Sequence, residues 1–315
     1  MPLFRKRPPM GRPTADKDEY LPLSVEQASR VRALVREAFA AHGIEVTVHG
    51  DHVSDDQGRR FGLWNVAAVC GAERERKWRP LIANHVRLVV AGGSSDDTEA
   101  LSDDELRSRT HLRLTELSQI ATHLSDAPRR ELGTSIAVVL AVDLPETVAT
   151  PPASYWEDRG GYERWIPVGL DNLRLLVTDP GLRHEKVSPD GGATRIDVVM
   201  GDSYFAGSTA LFVPEIARRF DPDVDLSHGF LVAVPFRHQM AYAPVVPGGK
   251  AFDSLMHLYR FATLGFFEAA GPVSPEVFLV RDGDWTQITT TVDGEGTIDV
   301  SGDVGRALGL PGDDN

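Results

Sequence analysis

A single cysteine, Cys70, rules out an intrachain disulfide in this chain of 315 residues. It ends the apolar run Trp64-Asn65-Val66-Ala67-Ala68-Val69-Cys70, with no nearby base to lower its pKa, so it reads as a small buried hydrophobe rather than a catalytic thiolate. So little cysteine suits a reducing compartment. Also missing is any run of about 20 apolar residues, the length a membrane span needs. The opening Met1–Pro9 is basic, but polar Thr14–Glu19 stands where a signal peptide would carry its apolar stretch. Residues 1–20 are therefore expected to form a disordered tail.

Positive charge is in short supply. Against 46 Asp and Glu stand 33 Lys and Arg, for a net charge of −13, and only five of the cations are lysines. Outside the tail the densest basic run, Arg74-Glu75-Arg76-Lys77-Trp78-Arg79, is diluted by glutamate. Such a surface repels a phosphate backbone, so no nucleic-acid partner is expected.

The short metal and phosphate motifs are absent too: there is no His-Glu-x-x-His and no Cys-x-x-Cys. Gly294-Glu295-Gly296 lacks the third glycine of a phosphate loop and leads into a β-like run, so it reads as a turn. His42, His49 and His52 lie along a strand and its turn. An odd separation points His49 and His52 apart on a regular strand, and a solvated edge is the reading. No metal and no cofactor are expected.

What is present is enough apolar residue, 42% of the chain, for one large core or two modest ones. Ser24 with Gln27 makes a capping box ahead of an apolar stripe at Val25, Ala28, Val31, Leu34, Val35, Ala38 and Phe39, and Gly43 supplies the stop. Ile44, Val46 and Val48 alternate, and Asp55-Asp56-Gln57-Gly58 turns the chain towards Phe61 and Leu63 as a hairpin. Residues 64–90 keep helical spacing, with a break expected near Pro80. Gly92–Asp97 is the best candidate joint.

Beyond it, Ser102 with Glu105 forms another capping box, and Leu112 and Leu114 alternate with polar neighbours. Ser135–Val142 is apolar on both sides and so central in a sheet. Ser154 with Glu157 opens a helical region, and the helix bearing Leu170, Leu173, Leu176 and Val177 ends near Asp179-Pro180-Gly181. Arg183–Val187 and Thr194–Met200 flank the hairpin turn Pro189-Asp190-Gly191-Gly192. The order then reads helix 205–219, strands 230–235 and 239–245, helix 251–268 with Phe252, Leu255, Met256, Tyr259 and Phe266, and a β-rich end at 277–300.

Without a steady βαβ rhythm this is an α+β fold, mixed helices and antiparallel hairpins around one or two mostly antiparallel sheets. The divisions expected are a helix-hairpin-helix subdomain at 21–92, an α+β subdomain at 102–302 and a flexible tail at 303–315.

The chemistry-bearing candidates are few. Gly201-Asp202-Ser203-Tyr204 between strand and helix resembles a turn that exposes a serine nucleophile. Asp225-Leu226-Ser227-His228 follows with an Asp-x-x-His spacing. That order is wrong for the esterases that use such a pair, so Asp202 or Ser203 reads better as a helix N-cap. Asp103-Asp104-Glu105 and Asp221-Pro222-Asp223 read as solvated residues complementing helix dipoles. Tyr155, Trp156, Tyr162 and Trp165 read as core. Arg237-His238-Gln239 interrupts two apolar strands, and would form a small polar site if it met Asp202 and Tyr204 in one concavity.

In order along the chain, Phe61-Gly62-Leu63-Trp64-Asn65, Ile82–Val90, Leu140-Ala141-Val142-Asp143, Gly169-Leu170-Asp171-Asn172-Leu173, Gly201–Ala206, Leu211-Phe212-Val213-Pro214-Glu215, Leu231–Pro235 and Ser274–Phe278 resemble the YtpQ-like family of bacterial proteins of unknown function. The resemblance runs over residues 25–290 and rests on the joint order of these segments. It implies a cytoplasmic bacterial protein and no particular activity. The chain departs from the family's Asn-Arg-Asp-like turn, with Phe236 and His238 around a retained Arg237.

The leading expectation is a non-enzymatic binding or regulatory module for a protein partner or small ligand, with a site at Asp202, Tyr204, Arg237, His238 and Asn172. One alternative is a serine hydrolase with Ser203 as nucleophile and His228 or His238 as base, Asp225 orienting. Another is an immunity-type or secretion-accessory protein whose acidic surface masks a basic partner.

Overall fold

The computed structural model describes residues 17–56, 60–91, 98–118, 120, 126–144, 148–188, 191, 194–246, 251–269, 271–292, 295–299 and 301–308. The joint at 92–97, most of the expected tails, half of the turn at 55–58 and most of the turn at 189–192 lie outside them, as does Gly294. The chain divides into two compact units, Met1–Val86 and Arg87–Asn315. Secondary structure is α+β, with mostly antiparallel sheets, and among the described residues no helix is long and apolar enough to cross a membrane.

In the first unit, helix α1 (Val25–Ala41) is capped by the reciprocal Ser24–Gln27 box, and Gly43 follows at φ +74°. Its stripe buries Ala28, Val31, Leu34, Val35 and Phe39, while Val25 stays exposed. Strands β1 (Val46–Val48), β2 (His52–Asp55) and β3 (Arg60–Gly62) form a small antiparallel sheet. Arg32 ties the unit together by pairing with Asp18 at 2.9 and 2.7 Å and donating to the Gly50 carbonyl. Residues 17–20, assigned to the tail on composition, thus include a half-buried anchor.

The helical stretch after β3 breaks earlier than expected. Helix α2 (Trp64–Ala72) ends at Glu73, a 3-10 turn covers Glu75–Lys77, and helix α3 (Trp78–Ala91) begins before Pro80. In the first turn of α3 a missing N–H costs nothing, so Pro80 starts a helix instead of breaking one. The Trp78 indole N–H donates to the Cys70 carbonyl at 2.6 Å and packs the bend.

The second unit is built on an antiparallel six-stranded sheet of order β13-β12-β10-β11-β9-β8. Its strands are β8 (Arg183–Val187), β9 (Ile196–Met200), β10 (Phe230–Phe236), β11 (Gln239–Pro244), β12 (Val277–Arg281) and β13 (Asp284–Gln287). Alternate residues feed two cores, as a two-residue repeat dictates. Phe230, Val232, Val234, Met240, Tyr242 and Phe278 enter one. Leu231, Ala233, Ala241, Ala243, Val277 and Leu279 enter the other.

Over the second core lies helix α8 (Ala251–Glu268), which buries Leu255, Leu258 and Ala262. Phe252 and Met256 of this helix are exposed. A short helix α9 (Gly302–Ala307) closes this side through Val304 and Leu308, so order runs past residue 302. Strands β14 (Thr289–Val292) and β15 (Glu295–Ile298) form a hairpin, held by the buried Glu276 carboxylate, which accepts from the Thr289 hydroxyl and the Thr291 N–H.

The first core is completed by a second antiparallel sheet. Strand β6 (Ile136–Asp143) is central and buried on both faces, flanked by β4 (Thr110–Glu116) and β5 (Arg129–Leu132), with β7 (Val148–Ala149) at its end. Helix α4 (Asp103–Arg109) carries the Ser102–Glu105 box. Helix α5 (Ala153–Glu157) starts at Pro152 without a side-chain cap, so Ser154 does not open it. Helix α6 (Tyr162–Val177) packs on β4. Gly169 allows that approach, because a Cβ there would lie 3.0 Å from the Leu112 nitrogen.

The segment expected as one helix at 205–219 is a 3-10 helix, Gly207–Phe212, followed by α7 (Val213–Phe220), with Pro214 in the first turn of α7. Trp156 and Trp165 are core, with ring centroids 5.7 Å apart. Replacing Trp165 by Ala is expected to lower the unfolding free energy by about 3–5 kcal/mol, measured by urea denaturation. Loss of less than about 1 kcal/mol would contradict its role in this core.

Candidate functional site

The site grows out of the tight connection between β10 and β11. Pairing runs to Phe236↔Gln239 after a bulge, leaving Arg237 and His238 as the turn. The turn is fastened from both sides. The Gly207 N–H donates to the Arg237 carbonyl at 2.7 Å, the Gly201 N–H to the His238 carbonyl at 3.0 Å, and the Arg237 N–H to the Gly271 carbonyl at 3.0 Å. A Cβ on Gly207 would stand 2.8 Å from the Phe236 carbonyl oxygen, so only glycine lets the 3-10 helix press this close.

These bonds bring Gly201-Asp202-Ser203-Tyr204 beside the turn, and three of the expected site residues meet there. The Arg237 guanidinium lies 4.5 Å from the Tyr204 ring centroid, and the Tyr204 and His238 rings are 6.3 Å apart, edge to face. The His238 imidazole is held at both nitrogens. Nδ1 faces the Ser203 carbonyl at 3.0 Å, and Nε2 accepts from Arg237 Nε at 3.0 Å. Those partners require the neutral ring with its proton on Nδ1. Burial first, then the neighbouring Arg237 charge, lower the His238 pKa below its ordinary 6.5.

A fourth member was not legible from sequence. Arg113 projects from β4 and lies 4.9 Å from the Tyr204 ring centroid. On the same face of β4, two residues earlier, His111 stacks on Phe205 at 4.4 Å, so β4 and residues 204–205 run side by side. Alternation of Leu112 and Leu114 with Arg113 marked Arg113 as the wet face of a strand. Only the pairing of β4 with this loop, which no local pattern encodes, gives it a neighbour. Burial would push the Tyr204 phenol up, but Arg113 and Arg237 together outweigh it and pull it down. The Nε of Arg113 is buried and has no hydrogen-bond partner among the described residues.

The other expected site residues are placed elsewhere. Asp202 is almost fully exposed and reaches Arg183 at 3.3 Å. The Asn172 amide donates to the Arg107 and Thr110 carbonyls at 2.6 and 2.7 Å, holding α6 to the end of α4. Ser203 Oγ accepts the Phe205 N–H at 3.2 Å. It closes the turn ahead of the 3-10 helix, whose N-cap is Ala206 without a side-chain cap, so neither Asp202 nor Ser203 caps the helix. Asp225 Oδ1 accepts from the N–H and hydroxyl of Ser227, which lowers its pKa, and makes no bond to His228. Among the described residues no imidazole hydrogen-bonds the Ser203 hydroxyl.

Two expectations about other candidates are corrected. His49 and His52 do not point apart. They face one another across the β1–β2 turn, so their rings stack at 4.3 Å, with His52 on Asp51 and His49 on Ser54. Asp221 does not complement a helix dipole, since it sits at the C-terminus of α7; it pairs with Arg195 at 3.2 Å. Burial raises the Cys70 thiol to about 11, where it stays protonated and unreactive. Among the described residues no group of three or more His, Cys, Asp or Glu is arranged to hold a metal ion.

Sequence reading also missed an ionic network on β9. Asp197, fully buried, accepts from Arg195 at 2.9 Å through both carboxylate oxygens and lies 2.7 Å from His184 Nε2. Arg195 and Asp221 line an open cleft of about 250 Å³ with Pro244, Val246, Ala251 and Ser254. The signal was an aspartate inside the apolar run Ile196–Met200, two residues from an arginine. Here each charge meets its opposite.

Comparison with protein-family models, with curated proteins and with solved structures returned no match.

Because the His238 pKa is depressed in the folded chain, its contribution to stability is complete above about pH 6.5, its ordinary value, and is lost as pH falls through the folded pKa. Urea denaturation is expected to show stability declining from about pH 7 to about pH 5, with a shallower decline in His238→Gln. Equal slopes would remove His238 from this account.

Proposed function

We propose that this protein is a non-enzymatic binding or regulatory module, bacterial and cytoplasmic as the YtpQ-like resemblance implies. Its binding site is the Tyr204–Arg237–His238 cluster completed by Arg113. The observation that carries the reading is a contrast within one loop. The Ser203 hydroxyl oxygen accepts from the Phe205 N–H and only the Ser203 carbonyl meets His238, whereas Tyr204 turns its ring between two arginines. A nucleophile needs its base on the hydroxyl; a recognition site needs donors and a flat aromatic face. All four residues are intermediate in exposure, neither fully buried nor fully exposed.

The test has two arms. The protein is expected to resist labelling by a fluorophosphonate probe at neutral pH; labelling abolished by Ser203→Ala would replace this reading with a serine hydrolase. Wild-type protein incubated with cell extract and recovered by affinity is expected to retain species that Arg237→Ala and Tyr204→Ala lose. An identical retained set in all three would take the site out of the proposal.

A further inference from the structure

Arg113 and Arg237 approach Tyr204 from different sheets, one from β4 and the other from the β10–β11 turn. Among the described residues neither has a carboxylate within ion-pairing distance. Elsewhere partly buried arginines are answered by acid, Arg32 by Asp18 and Arg195 by Asp197 and Asp221, or by backbone carbonyls, as Arg219 is by those of Val177 and Asp179. With 46 acidic residues against 33 basic ones, counter-charge is not scarce. Asp202 ion-pairs with Arg183 and acts on His238 only through space, and Asp143 acts on His111 and Arg109. A partly buried cation without a counter-ion is unfavourable, and a buried guanidinium N–H without an acceptor adds to the cost. Two such groups on one aromatic ring therefore mark a place where the missing anion comes from outside.

We propose that the Arg113–Tyr204–Arg237 cluster binds a dianionic oxyanion, the phosphate group of a phosphomonoester. This rests on the reading of the cluster as a binding site and supplies its ligand class. The choice among oxyanions follows from counting charge. Both guanidiniums carry a full positive charge, and His238 adds none, since both ring nitrogens are engaged in the neutral form. A carboxylate would leave one cation unanswered, while a phosphomonoester carries about −1.5 to −2 near neutral pH. The planar guanidinium fork matches phosphate oxygens, and the Tyr204 hydroxyl is a further donor beside it. Gly271, at φ +74°, shapes the site by what it lacks, because a Cβ there would come within 2.7 Å of the Arg237 side chain.

The experiment is calorimetric titration of the purified full chain with inorganic phosphate, phenyl phosphate and acetate at constant ionic strength. It is run on wild type and on Arg113→Gln, Arg237→Gln and Arg237→Lys, each checked for folding by circular dichroism. Phosphate and phenyl phosphate are expected to bind at least about tenfold more tightly than acetate. Either glutamine variant is expected to lose about tenfold or more, the effect of removing one charge-assisted bond, and the lysine variant to recover part of it. Gly271→Ala, which leaves both charges in place, is expected to weaken phosphate by displacing Arg237.

Absence of phosphate and phenyl phosphate binding at millimolar concentration would overturn the proposal. So would binding unchanged in both folded glutamine variants, or acetate binding as tightly as phosphate. If these fail while Arg237→Ala still loses species retained from extract, the ligand class falls and the binding site stands. If the retained set is unchanged as well, both fall.

Discussion

Burial of the β10–β11 pair on both faces is the constraint on which the second unit rests. Each strand sends alternate side chains into different cores, so neither can slide by one residue without exchanging the contents of both. That fixes where the pair must turn. Arg237 and His238 are thereby delivered to one point at the end of the sheet, where backbone bonds to Gly201, Gly207 and Gly271 hold them. The polar chemistry here depends on apolar packing at a distance, as a precise site on a rigid scaffold does.

The two polar regions of this unit obey opposite rules. Around Asp197 the charges are closed on themselves: a buried carboxylate receives an arginine through both oxygens and faces an imidazole as well. Such a network is self-sufficient, and removing one member would leave a stranded charge. Around Tyr204 the balance is left open, with two guanidiniums, one ring and, among the described residues, no carboxylate paired to either arginine. In an acidic protein, a small cationic cluster of this kind would repel most anions at long range and admit only those that the local pair outbids. That favours selectivity over speed of capture.

Much of the architecture was legible in the residues. The Ser24–Gln27 and Ser102–Glu105 boxes, the two-sided apolar run of β6 and the β8–β9, β10–β11 and β12 strands carry their own local signals, and the α+β class follows from their order. Where reading failed, a tertiary partner had intervened. Pro80 reads as a break because the sequence shows its chain position and not its place in the first turn of α3. His49 and His52 were placed on one strand when a turn lay between them. At the site, Tyr204, Arg237 and His238 announced themselves as polar residues beside apolar strands. Arg113 did not, because its role comes from a pairing between sheets distant in sequence. Asn172 looked available for recognition, but two backbone carbonyls had claimed its amide.

The two arginines belong to separate layers: one rides on the sheet centred on β6, the other on the sheet centred on β10. The layers are also stitched at another point, where the Thr134 N–H donates to Gln287 Oε1 and the Ser135 and Ser274 hydroxyls meet at 2.9 Å. Anything that clasps both guanidiniums therefore adds a cross-brace between slabs that otherwise adhere through apolar packing. Occupancy and mechanical cohesion become one quantity, and shear between the slabs would draw Arg113 away from Arg237 and open the clasp.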